Sequence, residues 1–355
     1  MKPVLFATGH APAYRVGALE RLNEREGIEV ALFGGRFKHA GEPVEGELPF
    51  PSRRIRPRQV WGLAGSGAYR AVVCPTAGRL APVACWAGAR RAGVPLILWT
   101  SLWAHPRTPA HALSYLALRR LYRSADAVVT YGPHVSAYVC ARGARNVHVA
   151  PQSVDNDFWR ADVPAEPPAL SWPAGTKTRF IFVGRRAREK GLTVLDAAWR
   201  QAAFDPAEAA FALAGVGMDM PAPHGWSCLD PLAPSDLRAL YAAAHVLVLP
   251  SVATATFREP WGLVVNEAMN RRLAVIASDA VGAAAGGLVR DGVNGIVVPA
   301  GDAHALASAL RALAGDGELC RRLGAQAAED VRAFSHDAWA EGFSGALASL
   351  GLGRW

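Results

Sequence analysis

The chain has 355 residues, 51% of them apolar and 19% charged, with a net charge of +8. That length exceeds one ordinary core and points to two domains of about 150 residues each. No apolar run approaches the roughly 18 residues that a membrane span needs, and the five scattered cysteines lack CxxC spacing, so a zinc site or a disulfide framework is not expected.

The first residues, "MKPVLFATGH", read directly as a strand without a signal peptide's apolar core and cleavage site. Together with an odd number of thiols, this leads us to expect a cytoplasmic chain. A helix-period segment follows around residues 14–26, then the strands "IEVALFGG", "RAVVCP", "VPLILWT" and "DAVVTYG", separated by Ala/Leu/Arg-rich helical sequence. Residues 160–178, "RADVPAEPPALSWPAGTKT", hold four prolines and no periodicity, the pattern of a linker. The rhythm then resumes with "RFIFVG", "AAFALAG", "HVLVLPS", "LAVIASD" and "NGIVVPAGD", and from about residue 302 the chain is helical. Strands without polar alternation, joined by helices, imply parallel sheets covered on both faces. The expected organisation is a first Rossmann-like domain at 1–159, a linker at 160–178, a second such domain at 179–334, and a closing helix at 335–355. Ligands of such sheets bind beyond the C-terminal ends of the strands.

Charge divides along the same line. Residues 1–155 carry 20 Lys+Arg against 9 Asp+Glu, and the rest carry 18 against 21. From Leu48 to Ala125 there is no acidic residue but twelve arginines, interleaved with Trp61, Trp86, Trp99 and Trp103. Arg-rich composition alone is one cause. The other is contact of "PSRRIRPRQVW", through Arg53, Arg54, Arg56 and Arg58, and of "ALSYLALRRLYR" with an anionic membrane surface, where basic side chains and Trp are favoured.

The chemistry concentrates in the second half. "REPWGLVVNE" sets Glu259 and Glu267 eight positions apart, with Pro260 suited to the first position of a helix. At about 1.5 Å per residue the two carboxylates would stand some 12 Å apart, too far for an acid/base pair at one bond. The spacing suits two hydroxyl-bearing ends of an extended ligand such as a sugar nucleotide, with Gly262 admitting close backbone approach. "FVGRRAREKGL" adds a glycine after a strand, Gly184, with Arg185 and then Lys190 at a helix start. Two cations and free backbone N–H groups at such a turn suit a diphosphate. "FALAGVGMDM" supplies another strand end with Gly215 and Gly217.

These segments, with "LRALYAAAHVLVLPS", "VIASDAVGAAAGGLVRDGVNGIVVPAGD" and "LASALRAL", make the second half resemble the family 4 retaining glycosyltransferases. The first half is similar more loosely, through "HAPAYRVGALERL", "SADAVVTYG" and "VAPQSVDNDFW". The resemblance implies the GT-B fold: two Rossmann-like domains facing a central cleft, with C-terminal helices crossing back to the N-terminal domain. It implies a hexose moved from a nucleotide-diphosphate sugar to a hydroxyl of a glycan, a lipid-linked or a small-molecule acceptor, with retention and without a metal or other cofactor. Glu259 would hold donor-sugar hydroxyls and Glu267 ribose hydroxyls, and Arg185 and Lys190 would neutralise the departing diphosphate. Pro260, Trp261, Gly262 and Leu263 would line the donor site with Gly184, Gly215 and Gly217.

In such enzymes the acceptor attacks from the face the leaving group departs, a donor phosphate oxygen taking its proton, so no protein nucleophile is required. His105, after "VPLILWT", occupies the place where the family often keeps a histidine facing the donor sugar. His10, Tyr14 and Arg15 are acceptor-side candidates. Arg186 and Trp261 depart from the apolar residue and the phenylalanine that are commoner there. His134 and His245 read as structural. Asp155-Asn156-Asp157 matches a DxD metal motif only formally, since it adjoins the linker rather than a nucleotide-binding strand. Two other functions compete: a nucleotide-sugar epimerase or hydrolase on the same fold, which would need its own acid/base residues, and a basic nucleic-acid-binding protein, for which no helix-turn-helix, RNP or zinc pattern speaks.

Overall fold

A computed structural model describes residues 1–34, 47–76, 80–163, 172–220, 223 and 225–354. The chain divides into two compact units, Met1–Asp155 with Phe334–Trp355, and Asn156–Ala333.

The first unit is built on seven parallel strands: β1 (Val4–Thr8), β2 (Ile28–Leu32), β3 (Ser52–Arg54), β4 (Ala71–Pro75), β5 (Leu96–Thr100), β6 (Ala127–Thr130) and β7 (Val147–Val149). Their order is β3-β2-β1-β4-β5-β6-β7. The pleat sends Val4 and Phe6 to one apolar cluster and Leu5 and Ala7 to the other. The first cluster is capped by the helices Ala13–Glu26 and His336–Ala348. Against the second lie Val60–Ala64, Ala81–Ala92, Pro109–Ser124 and Pro133–Cys140.

Trp339 and Phe343, four residues apart on the last helix, are fully buried, and their rings meet Phe6 at 6.2 and 5.5 Å. Arg70, one of the twelve arginines of the acid-free tract, is internal, paired with the buried Glu26 at 2.8 Å.

The second unit holds six parallel strands: β8 (Thr178–Val183), β9 (Ala209–Ala214), β10 (Trp226–Leu229), β11 (Val246–Leu249), β12 (Ala274–Ser278) and β13 (Gly295–Val298). They run in the order β10-β9-β8-β11-β12-β13. Both sheets are thus doubly wound: the chain goes outward from β1 or β8, then returns to the other side at β4 or β11. Two Rossmann-like parallel-sheet units make this an α/β protein of GT-B type.

β3, β7 and β10 were not expected from the sequence. Each is a strand of three or four residues at a sheet edge, and β3 is Ser-Arg-Arg, exposed throughout. Strands this short carry little periodic signal, and the charge of β3 discourages pairing with another chain.

The unit boundary falls at 155/156, ahead of the proline-rich stretch 160–178, of which 164–171 lie outside the described residues. The short helix Asn156–Arg160 belongs to the second unit because its backbone is fastened there. Arg271 Nη1 donates to the carbonyls of Trp159, Arg160 and Ala161, and Asn270 donates to Asn156 Oδ1 at 2.7 Å.

Candidate active site

The switch point between β8 and β11 is where the second sheet opens at its C-terminal edge. After β8 the chain passes through Gly184 into a 3₁₀ turn, Arg188–Lys190, and then into the helix Leu192–Ala202. Gly191 joins the two at φ +69, and a Cβ there would stand 2.0 Å from the Pro250 carbonyl oxygen. Only glycine permits this approach, which sets Lys190 against the segment that follows β11. Lys190 Nζ donates to Glu259 Oε2 at 2.6 Å, and Ser251 Oγ donates to the same oxygen at 3.3 Å. Ser278 Oγ in turn donates to the Ser251 carbonyl. The paired side chains are only 14% and 10% exposed, so each charge depends on the other for compensation. Arg185, by contrast, is largely exposed and ion-paired with Glu189 one turn on. Arg186 reaches outward to within 4.0 Å of Asp219.

The expected helix from Pro260 does not form: the helix runs Val264–Asn270, with Leu263 at its N-cap. The cause lies in where the preceding carbonyls are used. Glu259 bridges Val281, and the Gly282 and Ala283 amides donate to the Glu259 and Trp261 carbonyls at 3.1 and 2.8 Å. Gly262, at φ +92, then redirects the chain. Glu259 therefore stands on a loop tied to the β12 side, Glu267 sits in the first turn of the helix, and a helical rise does not describe their separation. Trp261 is buried and donates from Nε1 to Asn266 Oδ1 at 2.7 Å, so its indole braces the loop from inside.

Glu267, half-buried, stands beside Tyr241. Burial pushes its carboxyl up to about 7, opposed by the Tyr241 hydroxyl, which donates to Oε2 at 3.0 Å. Burial and the adjacent Glu267 push the Tyr241 hydroxyl well above its ordinary range.

The glycine amides are not free for a ligand. Gly184 donates to the Ala214 carbonyl at 2.9 Å, and Gly215 and Gly217 both donate to that of Leu229, at 3.0 and 3.2 Å. What these positions contribute is the missing side chain. The partners that escaped the sequence reading are Ser251, Tyr241, Asn266 and Glu189. Their only signals were a hydroxyl directly after "LVLP" and a tyrosine within the otherwise apolar "LRALYAAAH".

The remaining expected residues lie in the first unit. His10 follows β1 and burial holds its imidazole below the ordinary range. Arg15 is buried, hydrogen-bonded to Gln152 Oε1, with its guanidinium 5.4 and 5.1 Å from the Trp99 and Trp339 rings. Tyr14 lies 5.2 Å from the same guanidinium. Arg15 is thus built into the core beneath the last helix, a structural position. His105 Nε2 meets the His111 carbonyl at 2.7 Å, and its ring stands edge-on to Tyr115. His134 packs edge-on to Trp103 at 4.8 Å, and His245 Nδ1 accepts the Arg179 amide at 3.1 Å.

Residues 177–316, most of the second unit, match the family described as glycosyl transferases group 1. The likeness to that family is thus carried by the second unit. The chain is 41% identical over 110 residues to a D-inositol 3-phosphate glycosyltransferase of Corynebacterium glutamicum, a match covering 30% of this chain and 24% of that protein. A protein of the same name from Nocardia farcinica is 35% identical over 137 residues, covering 36% and 29%. The chain thus spans less than a third of the length of these relatives in alignment. Among solved structures, the Anabaena protein HepE in complex with UDP and glucose aligns with TM-score 0.74 and 18% identity over 98% of this chain and 100% of that one. A sucrose-phosphate synthase of Thermosynechococcus elongatus aligns with TM-score 0.72 and 20% identity over 99% of each. At such identities the likeness is one of fold.

Proposed function

We propose that this chain is a glycosyltransferase that moves a hexose from a nucleotide-diphosphate sugar to a hydroxyl of a glycan, lipid-linked or small-molecule acceptor, with retention of the donor's anomeric configuration. The observation that carries the reading is the buried Lys190–Glu259 pair, tied by Ser251, at the switch point of a sheet whose topology favours ligands there. A cation and a carboxylate sharing one short contact can be drawn apart by a donor: the diphosphate attracts Lys190, and Glu259 is released toward sugar hydroxyls. Arg185 adds a second positive charge from the exposed side of the same turn. Charge on the leaving diphosphate grows in the transition state, so a fixed ammonium favours that state over the ground state, and one such contact typically contributes a few kcal/mol. Glu267, further along, would accept hydroxyl hydrogens from the nucleoside end of the donor. HepE, of the same fold, was crystallised with UDP and with UDP-glucose, which supports testing uridine donors first.

A thermal-shift panel of UDP-, GDP-, ADP- and TDP-sugars tests the donor, because a ligand that binds only the folded state raises its melting temperature. Product NMR tests the stereochemistry, and assay in EDTA tests the proposed independence from metal. Failure of all four nucleotides to shift the melt, or an inverted product, would remove this reading.

A further inference from the structure

The acid-free tract from Leu48 to Ala125 becomes informative once folded. We propose that the outer surface of three neighbouring helices of the first unit, Val60–Ala64, Ala81–Ala92 and Pro109–Ser124, docks on an anionic lipid bilayer. These helices cover the same face of the sheet in sequence. The first two lie in close contact: a Cβ on Gly88 would stand 2.6 Å from that of Ala64. Their inward residues (Val60, Ala64, Cys85, Ala89, Leu121, Tyr122) fill the core. Among the described residues, their exposed side chains are basic or apolar, with His111, Ser114, Tyr115 and Ser124 half-buried beside them. Trp61, Leu80, Val83 and Leu116 are 45, 73, 47 and 63% exposed, half of the large apolar side chains exposed among the described residues. Between them stand Arg58, Arg91, Arg119, Arg120 and Arg123, all exposed. None of these five has a carboxylate within ion-pairing distance among the described residues. Arg91 lies over the exposed Trp61 ring at 4.9 Å.

This surface overlaps the one the sequence suggests without being identical to it. Arg53 is ion-paired with Glu29 at the β3 edge, and Trp99 is spent in the aromatic core with Phe6 and Trp339. Trp86 is only partly buried but packs against the second cluster. Of residues 51–61 the docking surface keeps Arg58 and Trp61; it includes Leu116, Arg119, Arg120 and Arg123 of "ALSYLALRRLYR" and adds Leu80, Val83 and Arg91.

Charge and polarity select the occupant. A second copy of the chain would bring arginines against arginines. Nucleic acid would satisfy the charge but leave Leu80, Val83 and Leu116 facing phosphates. Anionic headgroups with acyl chains beneath them satisfy both kinds of side chain, with Trp61 at the headgroup level. The proposal is independent of the donor chemistry, which resides in the other unit.

Sedimentation of the full chain with vesicles tests it, comparing pure phosphatidylcholine with phosphatidylcholine containing about one-third phosphatidylglycerol. Binding is expected only to the anionic vesicles and is expected to fall sharply in roughly 0.5 M salt. Replacing Arg58, Arg91, Arg119, Arg120 and Arg123 with Gln together should weaken it by about tenfold or more. Leu80→Ser, Val83→Ser and Leu116→Ser together should weaken vesicle binding severalfold while leaving any binding to a short DNA duplex unchanged. All these positions are exposed, and an unchanged melting temperature confirms that each variant is folded. Equal binding to neutral vesicles, none to anionic vesicles at low salt, or indifference to either set of substitutions overturns the proposal. DNA binding that outcompetes vesicles with no effect of the serine variant assigns the surface to polyanions instead.

Discussion

The two sheets are wound alike, yet their switch points use charge in opposite ways. In the second unit, Lys190 and Glu259 meet on loops beyond β8 and β11, with the exposed Arg185 alongside. In the first unit, the comparable cation, Arg15, points inward, fixed by Gln152 and flanked by Trp99 and Trp339. A loop-borne ion pair can be opened by a ligand; a guanidinium packed among aromatic rings cannot move without disturbing the core. Topology marks where a ligand would approach, and the neighbours of each charge decide whether one could use it.

Removing the last helix is the most severe way to break this contrast. Truncation after residue 334 deletes Trp339 and Phe343, both fully buried, and uncovers Phe6, Trp99 and Arg15. Loss of one large core aromatic alone typically costs about 3–5 kcal/mol. The first unit should lose its cooperative melt while the second retains its own, as read by calorimetry; a soluble, fully active truncation would refute this placement.

Next in size, Lys190→Ala should lower turnover by about 10²-fold or more, because in the proposed reaction the lost charge acts on the leaving group. The same change strands Glu259 in a buried site, so a measurable fall in stability should accompany it. Arg185→Ala, being exposed and already paired with Glu189, should cost turnover less, on the order of tenfold, and stability almost nothing. Kinetics together with chemical denaturation would separate the two effects.

Arg15→Lys sharpens the comparison from the other side. It keeps the charge but loses the planar stacking and the fork toward Gln152. We expect a lower melting temperature and unchanged nucleotide affinity. Weaker nucleotide binding with an unchanged melt would contradict the structural role assigned to Arg15.

The smallest effect is a pH dependence. Glu267 titrates near 7 in the folded chain against an ordinary value of 4.5, so its contribution to stability is fully present below about 4.5 and is lost as pH rises through about 7. A ribose whose hydroxyls donate to the carboxylate favours the ionised form, so nucleotide binding should tighten over the same rise and release a proton. Calorimetric titration in buffers of different ionisation enthalpy would detect that proton, and Glu267→Gln should abolish its release.

How much of this was legible varies with the kind of signal. Buried strands such as "VLFAT" and "VLVL" announce themselves by unbroken apolar composition. The edge strands β3, β7 and β10 do not, because they gain their order from one neighbour rather than from burial. The carboxylates and cations of the candidate site could be named from spacing, but their partners could not. Ser251 and Glu259 are joined by the return of the chain after β11, and Tyr241 reaches Glu267 across 26 positions. The misplaced helix start at Pro260 has the same origin. A proline favours a first turn locally, but tertiary pairing of 259–261 with 281–283 overrides it.

The sequence order of the first unit also bears on how the polypeptide acquires its shape as it is made. One face of β1 waits for residues 339–347, which emerge from the ribosome after every strand of the second unit has been synthesised. The second unit, contiguous in sequence, can complete its core earlier. We therefore expect the half translated first to mature last: on a nascent chain halted at residue 333, protease should digest residues 1–155 while sparing 172–330. Between those two events the Phe6 face stands open, and that interval is when the newborn chain would most depend on a chaperone.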